Sequence, residues 1–438
     1  MSMVNAFDAA SAGQLDPEDR ALIERRARVL GPAYRLFYEE PLHLVRGEGA
    51  WVWDKAGKKY LDAYNNVVSL GHCHPHVVQA IAAQLGVLNT HTRYLHEGVV
   101  SYAERLLATM PDALGHVMFT CTGSEANDLA LRIARSYTRR QGVIVTRLAY
   151  HGLSESVSEL SPSLGDFVTR GPRVRLIDAP NALTVPAEDQ GARLAADLAA
   201  AIAQMRADGI EPAAFIVDTV FSSDGLYPDP AGFLKPAVDL IRAEGGLFIA
   251  DEVQPGFGRT GDAFWGFQRH GLVPDMVTMG KPMGNGFPVS GTAMQPHLVA
   301  EFGEKARYFN TFGGNPVAAA AGMAVLDVIE NEGLQENATR VGAHLKAGLQ
   351  DLAAQRSDIG DVRGAGLFLA VECVTDSETN APDAARAGFV VNHLRRNGVL
   401  ISATGPGANI LKIRPPLVLT REQADIFVGA TTAAFAAS

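Results

Sequence analysis

Reactive side chains stand directly after four of the apolar, strand-like runs of this chain. Asp251 ends the run LFIAD, Lys281 follows DMVTMG, and Tyr150 closes VIVTRLAY. Gly123 and Ser124 follow HVMFTCT and open a segment of helical period. Ligands of parallel sheets bind beyond the carboxyl ends of the strands. We therefore expect a carboxylate, an amine, an aromatic ring and free backbone N–H donors to meet at one edge of a sheet.

These four kinds of group satisfy the requirements of pyridoxal 5'-phosphate. The N–H groups at the helix start would hold phosphate, and the Lys281 amine would form an imine with the aldehyde. Asp251 would pair with the ring nitrogen, so that the ring can act as an electron sink. At about 4 Å and an effective dielectric constant near 20, such a pair is worth roughly 4 kcal/mol, or about three pK units. The predicted catalytic residues are Lys281 and Asp251.

Further cofactor contacts are expected from residues beside these groups. Tyr150 offers a flat surface for the cofactor ring, and His151 follows it. Asp218 ends another strand-like run, AAFIVD, at a position where a carboxylate is unusual. Val253 and Gln254 come directly after the Asp251 strand. We predict that these five residues contact the cofactor.

The elements that must position these residues are short strands alternating with helices. Five apolar runs are strand candidates, and longer segments of helical period separate them. This alternation predicts an α/β fold with a mainly parallel sheet covered by helices on both faces. After about residue 316, Ala- and Leu-rich helices with two later strands indicate a smaller α+β domain. We predict an N-terminal segment 1–75 packing with that domain, a large cofactor-binding domain 76–325, and a C-terminal domain 326–438.

An alternative interpretation is a dinucleotide site, because Gly256, Gly258 and Gly261 are spaced Gly-x-Gly-x-x-Gly and an acidic residue, Asp275, follows. In a dinucleotide site the first glycine lies at the strand-to-helix turn. Here the five residues 251–255 lie between the apolar part of the strand and Gly256, and the following DAFWGFQRHG begins as an aromatic loop. We interpret the glycines as a loop that lets the backbone pass close to the cofactor.

A metal-binding protein is a third hypothesis, based on the motif GHCHPH. It places His72, Cys73, His74 and His76 close together, but Pro75 interrupts them, and no second ligand pair follows at a zinc-like spacing. A turn leading into the helix VVQAIAAQL explains the motif better. We predict no metal.

Composition narrows the function classes. The 438 residues are 47% hydrophobic, with a formal net charge of -10, which disfavours nucleic-acid binding because phosphate neutralisation needs a basic surface. The three cysteines, Cys73, Cys121 and Cys373, form no disulfide or Cys-x-x-Cys pattern. No apolar run is long enough to cross a bilayer, and the first residues lack a secretory apolar core. We expect a cytoplasmic enzyme that acts on small molecules and has no membrane partner.

The run LFIADEVQPGFGRTGDAFWGFQRHGLVPDMVTMGKPMGNG resembles the signature of the class III, or ornithine-type, pyridoxal-phosphate aminotransferases, and the resemblance covers nearly the whole chain. It implies fold type I, with a seven-stranded sheet, and amino transfer from an amino acid or ω-amine to a keto acid such as pyruvate. It also implies Lys281 as the Schiff-base lysine and Asp251 as the pyridinium partner. Gln254 would touch the ring hydroxyl.

The same resemblance implies that active sites are shared between subunits. Thr311, in YFNTFGGNP, is similar to a threonine that reaches the phosphate bound in the neighbouring subunit. The implied assembly is a homodimer, and further pairing into a tetramer is left open.

Substrate recognition is expected at Arg414, in ILKIRPP, where aminotransferases of this class carry an arginine for the substrate carboxylate. Its planar fork suits bidentate binding of a carboxylate. Many relatives hold this arginine aside with a glutamate after the third strand, but here that place reads FSSDG. Whether Ser222, Ser223 or Asp224 forms a gate stays open.

The chain also resembles a branch of the family that eliminates phosphate, the phospholyases of phosphoethanolamine or phosphohydroxylysine. YNNVVSLGHCHPHVV, LNTHTRYLHEG and TMGKPMGNG carry this likeness. Tyr34, Arg93 and Lys412 would then contribute to a second anion site, although Arg414 stands where that branch would be expected to carry lysine. Aminotransferase is the favoured function and phospholyase the alternative.

Overall fold

The computed structural model describes residues 5–181, 183–376 and 378–438. The strands are β1 (Leu44–Glu48), β2 (Trp51–Asp54), β3 (Lys59–Asp62), β4 (His116–Thr120), β5 (Gly142–Thr146), β6 (Val174–Ile177), β7 (Pro212–Asp218), β8 (Leu247–Asp251), β9 (Met276–Met279), β10 (Ser290–Met294), β11 (Ile359–Ala365), β12 (Phe368–Cys373), β13 (Val399–Leu400), β14 (Ser402–Thr404) and β15 (Ile410–Ile413). The helices are α1 (Pro17–Leu30), α2 (Pro75–Leu85), α3 (Glu97–Leu107), α4 (Gly123–Thr138), α5 (Glu155–Ser158), α6 (Gln190–Ala207), α7 (Lys235–Ala243), α8 (Gly266–Arg269), α9 (Pro296–Lys305), α10 (Pro316–Asn331), α11 (Leu334–Ala353), α12 (Ala384–Arg396) and α13 (Arg421–Ala436).

The large sheet has seven strands in the order β4-β10-β9-β8-β7-β5-β6. β10 runs antiparallel to both of its neighbours, and the pairs β5–β6, β5–β7, β7–β8 and β8–β9 are parallel. The predicted α/β fold with a mainly parallel sheet is therefore confirmed. β6 and β10 were not among the five strand candidates, because VRLI carries an arginine and SGTAM consists mostly of small residues.

Two smaller sheets complete the fold. One has the order β1-β2-β3-β13 and the other β11-β12-β15-β14. β13 pairs in parallel with β3, so that a strand from the C-terminal part of the chain extends a sheet built by the N-terminal part. The domain boundaries at residues 75 and 325 stay a prediction.

Helix α4 begins where the local sequence satisfies its first N–H groups. The Thr122 side chain accepts a hydrogen bond from the Glu125 N–H, and the Glu125 side chain accepts from the backbone N–H of Cys121 and Thr122. The helical spacing of apolar residues predicts a buried stripe of Ala126, Leu129, Ala130, Ile133, Ala134 and Tyr137. The first five are buried, whereas Tyr137, near the end of α4, is 46% exposed. The start of α4 is thereby fixed at the carboxyl end of β4. Among the described residues, no helix combines the length and the apolar composition that a membrane span needs.

Candidate active site

The predicted site residues meet at the carboxyl end of the large sheet. Asp218 and Asp251 end neighbouring strands and face each other in the β7–β8 register, and Lys281 follows β9 after one residue. They line a cavity of about 650 Å³ between the sheet edge and the loop 286–289. The same cavity is lined by the other predicted cofactor contacts of this chain: Gly123, Ser124, Tyr150, His151, Val253 and Gln254.

Asp251 is held by three donors and is only 3% exposed. Its Oδ2 accepts from Asn127 Nδ2 at 2.9 Å and lies 2.7 Å from His151 Nδ1. Its Oδ1 accepts from the Val253 backbone N–H at 3.1 Å. Because the carboxylate can only accept, His151 must carry its proton on Nδ1. The three bonds fix the direction in which this carboxylate faces the cavity.

Asn127 is a site residue that the sequence analysis missed. It is buried on the apolar face of α4, and Thr278 Oγ1 donates to its Oδ1 at 2.6 Å, which orients its amide toward Asp251. The signal that could have identified it is a single asparagine within an otherwise apolar helix face. Such an amide is buried only when its hydrogen bonds are made.

Lys281 lies in a strained backbone position at the wall of the same cavity. Its φ is +27°, in the region that non-glycine residues rarely adopt, and its Nζ lies 5.8 Å from the centroid of the Tyr150 ring. Burial lowers the pKa of the Lys281 amine, while the Asp251 charge acts in the opposite direction. A lowered pKa increases the fraction of free amine, which is the nucleophilic form.

The helix start beside Lys281 is built as an anion site. Within the described part of the chain, neither the Gly123 nor the Ser124 N–H donates a hydrogen bond. Gly152 faces this start with φ +141°, and a Cβ added there would lie 2.4 Å from Ser124 Oγ. Only glycine therefore leaves this cradle intact, and its donors fit a phosphate group.

A second cavity of about 640 Å³ adjoins the first. The two share four lining residues, Val67, Tyr150, Gln254 and Lys281. The lining residues of the second cavity that carry polar groups at its other walls are Arg35, Tyr38, Asp62, Tyr64, Asn65, Asn66, Ser223, Lys412 and Arg414. A molecule attached near Lys281 would extend into this second space.

Arg414 is buried at the boundary of the two cavities, 6% exposed. One of its Nη atoms donates to Gln254 Oε1, and its guanidinium carbon lies 4.4 Å from the centroid of the Tyr64 ring. Its Nε has no hydrogen-bond partner within the described residues. Burial lowers the pKa of Arg414. Gln254 is thus bound to the predicted substrate arginine, and its contact with the ring hydroxyl stays a prediction.

Lys412 lies in β15, Arg414 comes directly after the end of that strand, and both side chains line the second cavity. Each cation lies 5.8 Å from the centroid of the Phe368 ring. Lys412 is 6% exposed, and its Nζ makes no hydrogen bond within the described part of the chain. Burial, and then the charge of Arg414, lowers the pKa of Lys412 well below its usual value.

The acidic residues near these cations are hydrogen-bonded elsewhere. Asp218 accepts from the Val220 N–H and from the Ser222 hydroxyl, and burial raises its pKa. Asp224 accepts from Thr146 Oγ1 at 2.6 Å and from the Leu148 N–H at 2.9 Å, and burial raises its pKa to about 6.

Ser223 is the member of the FSSDG loop that lines the second cavity. Within the described residues, no carboxylate is hydrogen-bonded to Arg414 or Lys412. Whether residues 222–224 act as a gate is therefore still open.

Three predicted residues lie outside both cavities of this chain. Tyr34 is 65% exposed, Arg93 is also exposed and stacks at 3.9 Å on the Phe309 ring, and Thr311 is on the surface. The substrate roles of Tyr34 and Arg93, and the contact of Thr311 with a neighbouring subunit, stay predictions.

The glycines of GFGRTG contact other parts of the protein rather than the cavity. A Cβ at Gly256 would meet the Trp265 ring at 2.8 Å, and one at Gly261, where φ is +80°, would meet Thr339 of α11 at 2.5 Å. The interpretation that this loop passes close to the cofactor was therefore wrong. Asp275, the acidic residue of the nucleotide alternative, is bound by the Phe248 N–H.

The histidines of GHCHPH separate toward three different carboxylates. The pairs are His72 with Asp62 at 2.8 Å, His74 with Glu332 at 3.1 Å and His76 with Asp327 at 3.0 Å. Among the residues that the structure describes, no group of three or more potential ligands could hold a metal ion.

Comparison with known proteins identifies the family. A family model described as aminotransferase class-III matches residues 37–435. The chain belongs to the class III aminotransferase family. It is therefore a pyridoxal phosphate-dependent enzyme of fold type I. The donor set and the glycine-lined cradle described above fit this cofactor.

The similar proteins include some named as aminotransferases and some named as phospholyases. The chain is 41% identical to an alanine–glyoxylate aminotransferase 2-like protein of Drosophila melanogaster, over 93% of this chain and 85% of that protein. It is 38% identical to ethanolamine-phosphate phospho-lyase homolog 1 of Caenorhabditis elegans, over 93% and 92%. A solved Arthrobacter phospholyase in complex with phosphoethanolamine is 43% identical, with a TM-score of 0.92, over 95% of this chain and 100% of that one.

Proposed function

We propose that this enzyme eliminates phosphate from a small primary amine phosphate of the phosphoethanolamine class. The observation that carries the proposal is the pair of buried cationic residues, Lys412 and Arg414, at the wall of the second cavity. Neither is hydrogen-bonded to a carboxylate within the described residues. Burying cations without a hydrogen-bonded carboxylate is costly, and a phosphate dianion would compensate both charges.

The shape of the site supports the same conclusion. Lys281 borders both cavities, so a substrate amine directed to Lys281 would place its distal group in the second cavity. The lysine that the phospholyase branch would be expected to carry at position 414 has a counterpart two residues earlier, in Lys412. The likeness to the Arthrobacter phospholyase, whose structure contains phosphoethanolamine, adds support.

In this proposal the cofactor would be held by residues at the ends of strands of the large sheet and at the start of α4. Asp251 would face the ring nitrogen, Tyr150 the ring, and the N–H groups of Gly123 and Ser124 the phosphate. Lys281 would hold the aldehyde carbon. When bound, pyridoxal phosphate supplies an electron sink for the carbon next to the substrate nitrogen.

Residues of the chain itself accept the proton, position the carboxylate and bind the distal anion. Lys281, whose pKa is lowered by burial, accepts the proton from the substrate carbon. His151 and Asn127 keep Asp251 in position and aligned with the cavity. Arg414, whose Nε has no hydrogen-bond partner among the residues that the structure describes, binds the distal anion with its planar fork.

Transamination is the second candidate. The same fork of Arg414, stacked on Tyr64, suits a substrate carboxylate, and the Drosophila relative is named for aminotransferase activity. An aminotransferase must pass the amino group to a keto acid, whereas elimination needs no second substrate.

The two functions are separated by supplying phosphoethanolamine or an amino donor, each with and without pyruvate. We expect phosphate release from phosphoethanolamine without any keto acid. Alanine formation from pyruvate and an amino donor, with no phosphate released from phosphoethanolamine, would instead establish transamination. The Lys281→Ala variant is the control, because any phosphate that it releases must come from a contaminating phosphatase.

We further propose a homodimer located in the cytoplasm. Support for the dimer is the exposed apolar surface near Thr311, where Phe312 is 68% and Tyr94 is 66% exposed. Light scattering of the purified protein measures the subunit number, and a monomer would contradict the proposal. Localisation is tested by cell fractionation.

A further inference from the structure

We propose that Lys412 is the acid that delivers a proton to the departing phosphate, an inference that rests on the proposed function. Lys412 lines the second cavity, and its Nζ is free of hydrogen bonds within the described residues. Its neighbour Arg414, which lines the same cavity, is bound to Gln254. The Lys412 amine is therefore available to a group that occupies this cavity.

A proton is needed because of the charge of the leaving group. A phosphate monoester at neutral pH is mostly a dianion, and breaking its C–O bond without a proton would release the strongly basic phosphate trianion. A proton placed on the bridging oxygen allows the hydrogen phosphate dianion to leave. Proton transfer of this kind is general acid catalysis, worth about 10²–10⁴-fold in rate.

Few groups of this cavity can give that proton. Arg414 does not release its protons in proteins, and Lys281 is occupied with the proton of the substrate carbon. The Tyr38 hydroxyl is committed to the Ile401 carbonyl oxygen at 3.0 Å. Tyr64, which stacks on Arg414, and Tyr150, which lines both cavities, are the remaining competitors for the role.

The charges around Lys412 suit an acid of this kind. Arg414 and Lys281, which line the same cavity, disfavour its ammonium form, and Asp218 and Asp224 favour it. Because burial is the dominant influence and lowers the pKa, the ammonium is a stronger acid than an exposed lysine. A phosphate dianion in the cavity would favour protonation, so the substrate would bring the acid into its active form.

The proposed step balances as follows. Lys281 takes the proton from the carbon next to nitrogen, and the electron pair left behind forms a double bond to the neighbouring carbon. The C–O bond breaks, its electron pair stays on the bridging oxygen, and Lys412 donates a proton to that oxygen. Hydrogen phosphate departs, and solvent reprotonates Lys412.

The test compares leaving groups of different basicity in the full holoenzyme. Phosphoethanolamine requires the proton, whereas ethanolamine O-sulfate and 2-chloroethylamine release weakly basic anions that do not. Lys412→Arg keeps the positive charge but cannot release a proton. Relative to the unsubstituted enzyme, we expect kcat with phosphoethanolamine to fall by about 100-fold or more. We expect kcat with the other two substrates to change by less than about threefold. Lys412→Met, which also loses the charge, should additionally raise KM for phosphoethanolamine.

A second measurement uses the unsubstituted enzyme. The ratio of kcat for phosphoethanolamine to kcat for the O-sulfate should fall as pH rises through the pKa of Lys412 in the complex, because only the phosphate reaction needs the ammonium. Lys412→Arg should remove this pH dependence. The Tyr64→Phe variant is the matched control and should lose no leaving-group selectivity.

The outcomes separate the two proposals. If the unsubstituted enzyme releases phosphate but Lys412→Arg loses equal activity on all three substrates, the role of Lys412 is overturned and the proposed function is not. A ratio of kcat values that does not depend on pH has the same consequence. Selective loss in Tyr64→Phe would transfer the role to Tyr64 and also overturn it. An unsubstituted enzyme that releases no phosphate would overturn the proposed function and this inference together.

Discussion

His151 Nδ1 lies 2.7 Å from Asp251 Oδ2, and both side chains are almost completely buried at the carboxyl end of the large sheet. The imidazole donates this hydrogen bond from its Nδ1–H, because the carboxylate can only accept. Its Nε2 has no hydrogen-bond partner within the described residues. The Asp251 carboxylate is thereby held facing the cavity, and the negative charge of a carboxylate is what a cofactor ring nitrogen requires.

Replacing Asp251 with Asn should preserve the fold and cofactor binding but remove that charge. A charge pair of roughly 4 kcal/mol corresponds to about 10³-fold in rate if the whole interaction is used in the transition state. We expect kcat to fall by about 10²–10³-fold. Turnover is measured per cofactor bound, and a variant that turns over as fast as the unsubstituted enzyme would contradict the role of Asp251.

Replacing Lys281 with Ala should abolish covalent attachment of the cofactor and nearly all turnover. The measurement is reduction with borohydride followed by mass spectrometry, which detects cofactor retained on the denatured chain. Lys305→Ala, which removes a lysine on the exposed surface of α9, is the control and should retain the label. Label retained after loss of Lys281 would place the attachment at another lysine.

Replacing Gly152 with Ala should weaken cofactor binding. The added Cβ would lie 2.4 Å from Ser124 Oγ, and the backbone would keep a positive φ. Gly209→Ala is a matched control, since φ is also positive there but no atom lies within 4 Å of the added Cβ. We expect a cofactor Kd raised at least about tenfold, the effect of roughly 1.4 kcal/mol, in Gly152→Ala only. Equal cofactor affinity in both variants would show that the cradle tolerates a side chain.

Stability should fall in acid because of His270. Its Nδ1 accepts from the Gly232 N–H and its Nε2 donates to the Thr219 carbonyl oxygen, so that the folded protein holds the neutral ring. Burial lowers the pKa of His270 to about 4, below the usual 6.5. Between these values the unfolded chain binds the extra proton, so the free energy of unfolding decreases as pH falls from 6.5 to 4, in total by on the order of 3 kcal/mol.

The measurement for His270 is urea unfolding at several pH values between 7.5 and 4.5. His270→Gln should be less stable at pH 7.5 but should lose part of the acid dependence. His297→Gln, at an exposed site on α9, should leave the acid dependence close to that of the unsubstituted protein. The idea fails if the His270 variant and the unsubstituted protein follow parallel curves.

The cofactor side of the site could be predicted because its signals are local. An apolar run ending in Asp251, another followed by Lys281, and a helix start at Gly123 are each contained within a few residues. The rule that parallel strands present their carboxyl ends at one edge then brings them together. The search for apolar runs missed β6 and β10, because these strands are short and their composition resembles that of loops.

The substrate side was decided by tertiary structure. The bond between Arg414 and Gln254 spans 160 positions of the chain, and Asn127 meets Asp251 across 124. No periodicity encodes such contacts, because they depend on how the small sheet packs against the large one. The sequence by itself determined which groups end each strand. Only packing decided that Lys412 and Arg414 are both buried at one cavity, with no carboxylate of the described residues hydrogen-bonded to either, since the cost of burying a charge depends on every neighbour that folding brings to it.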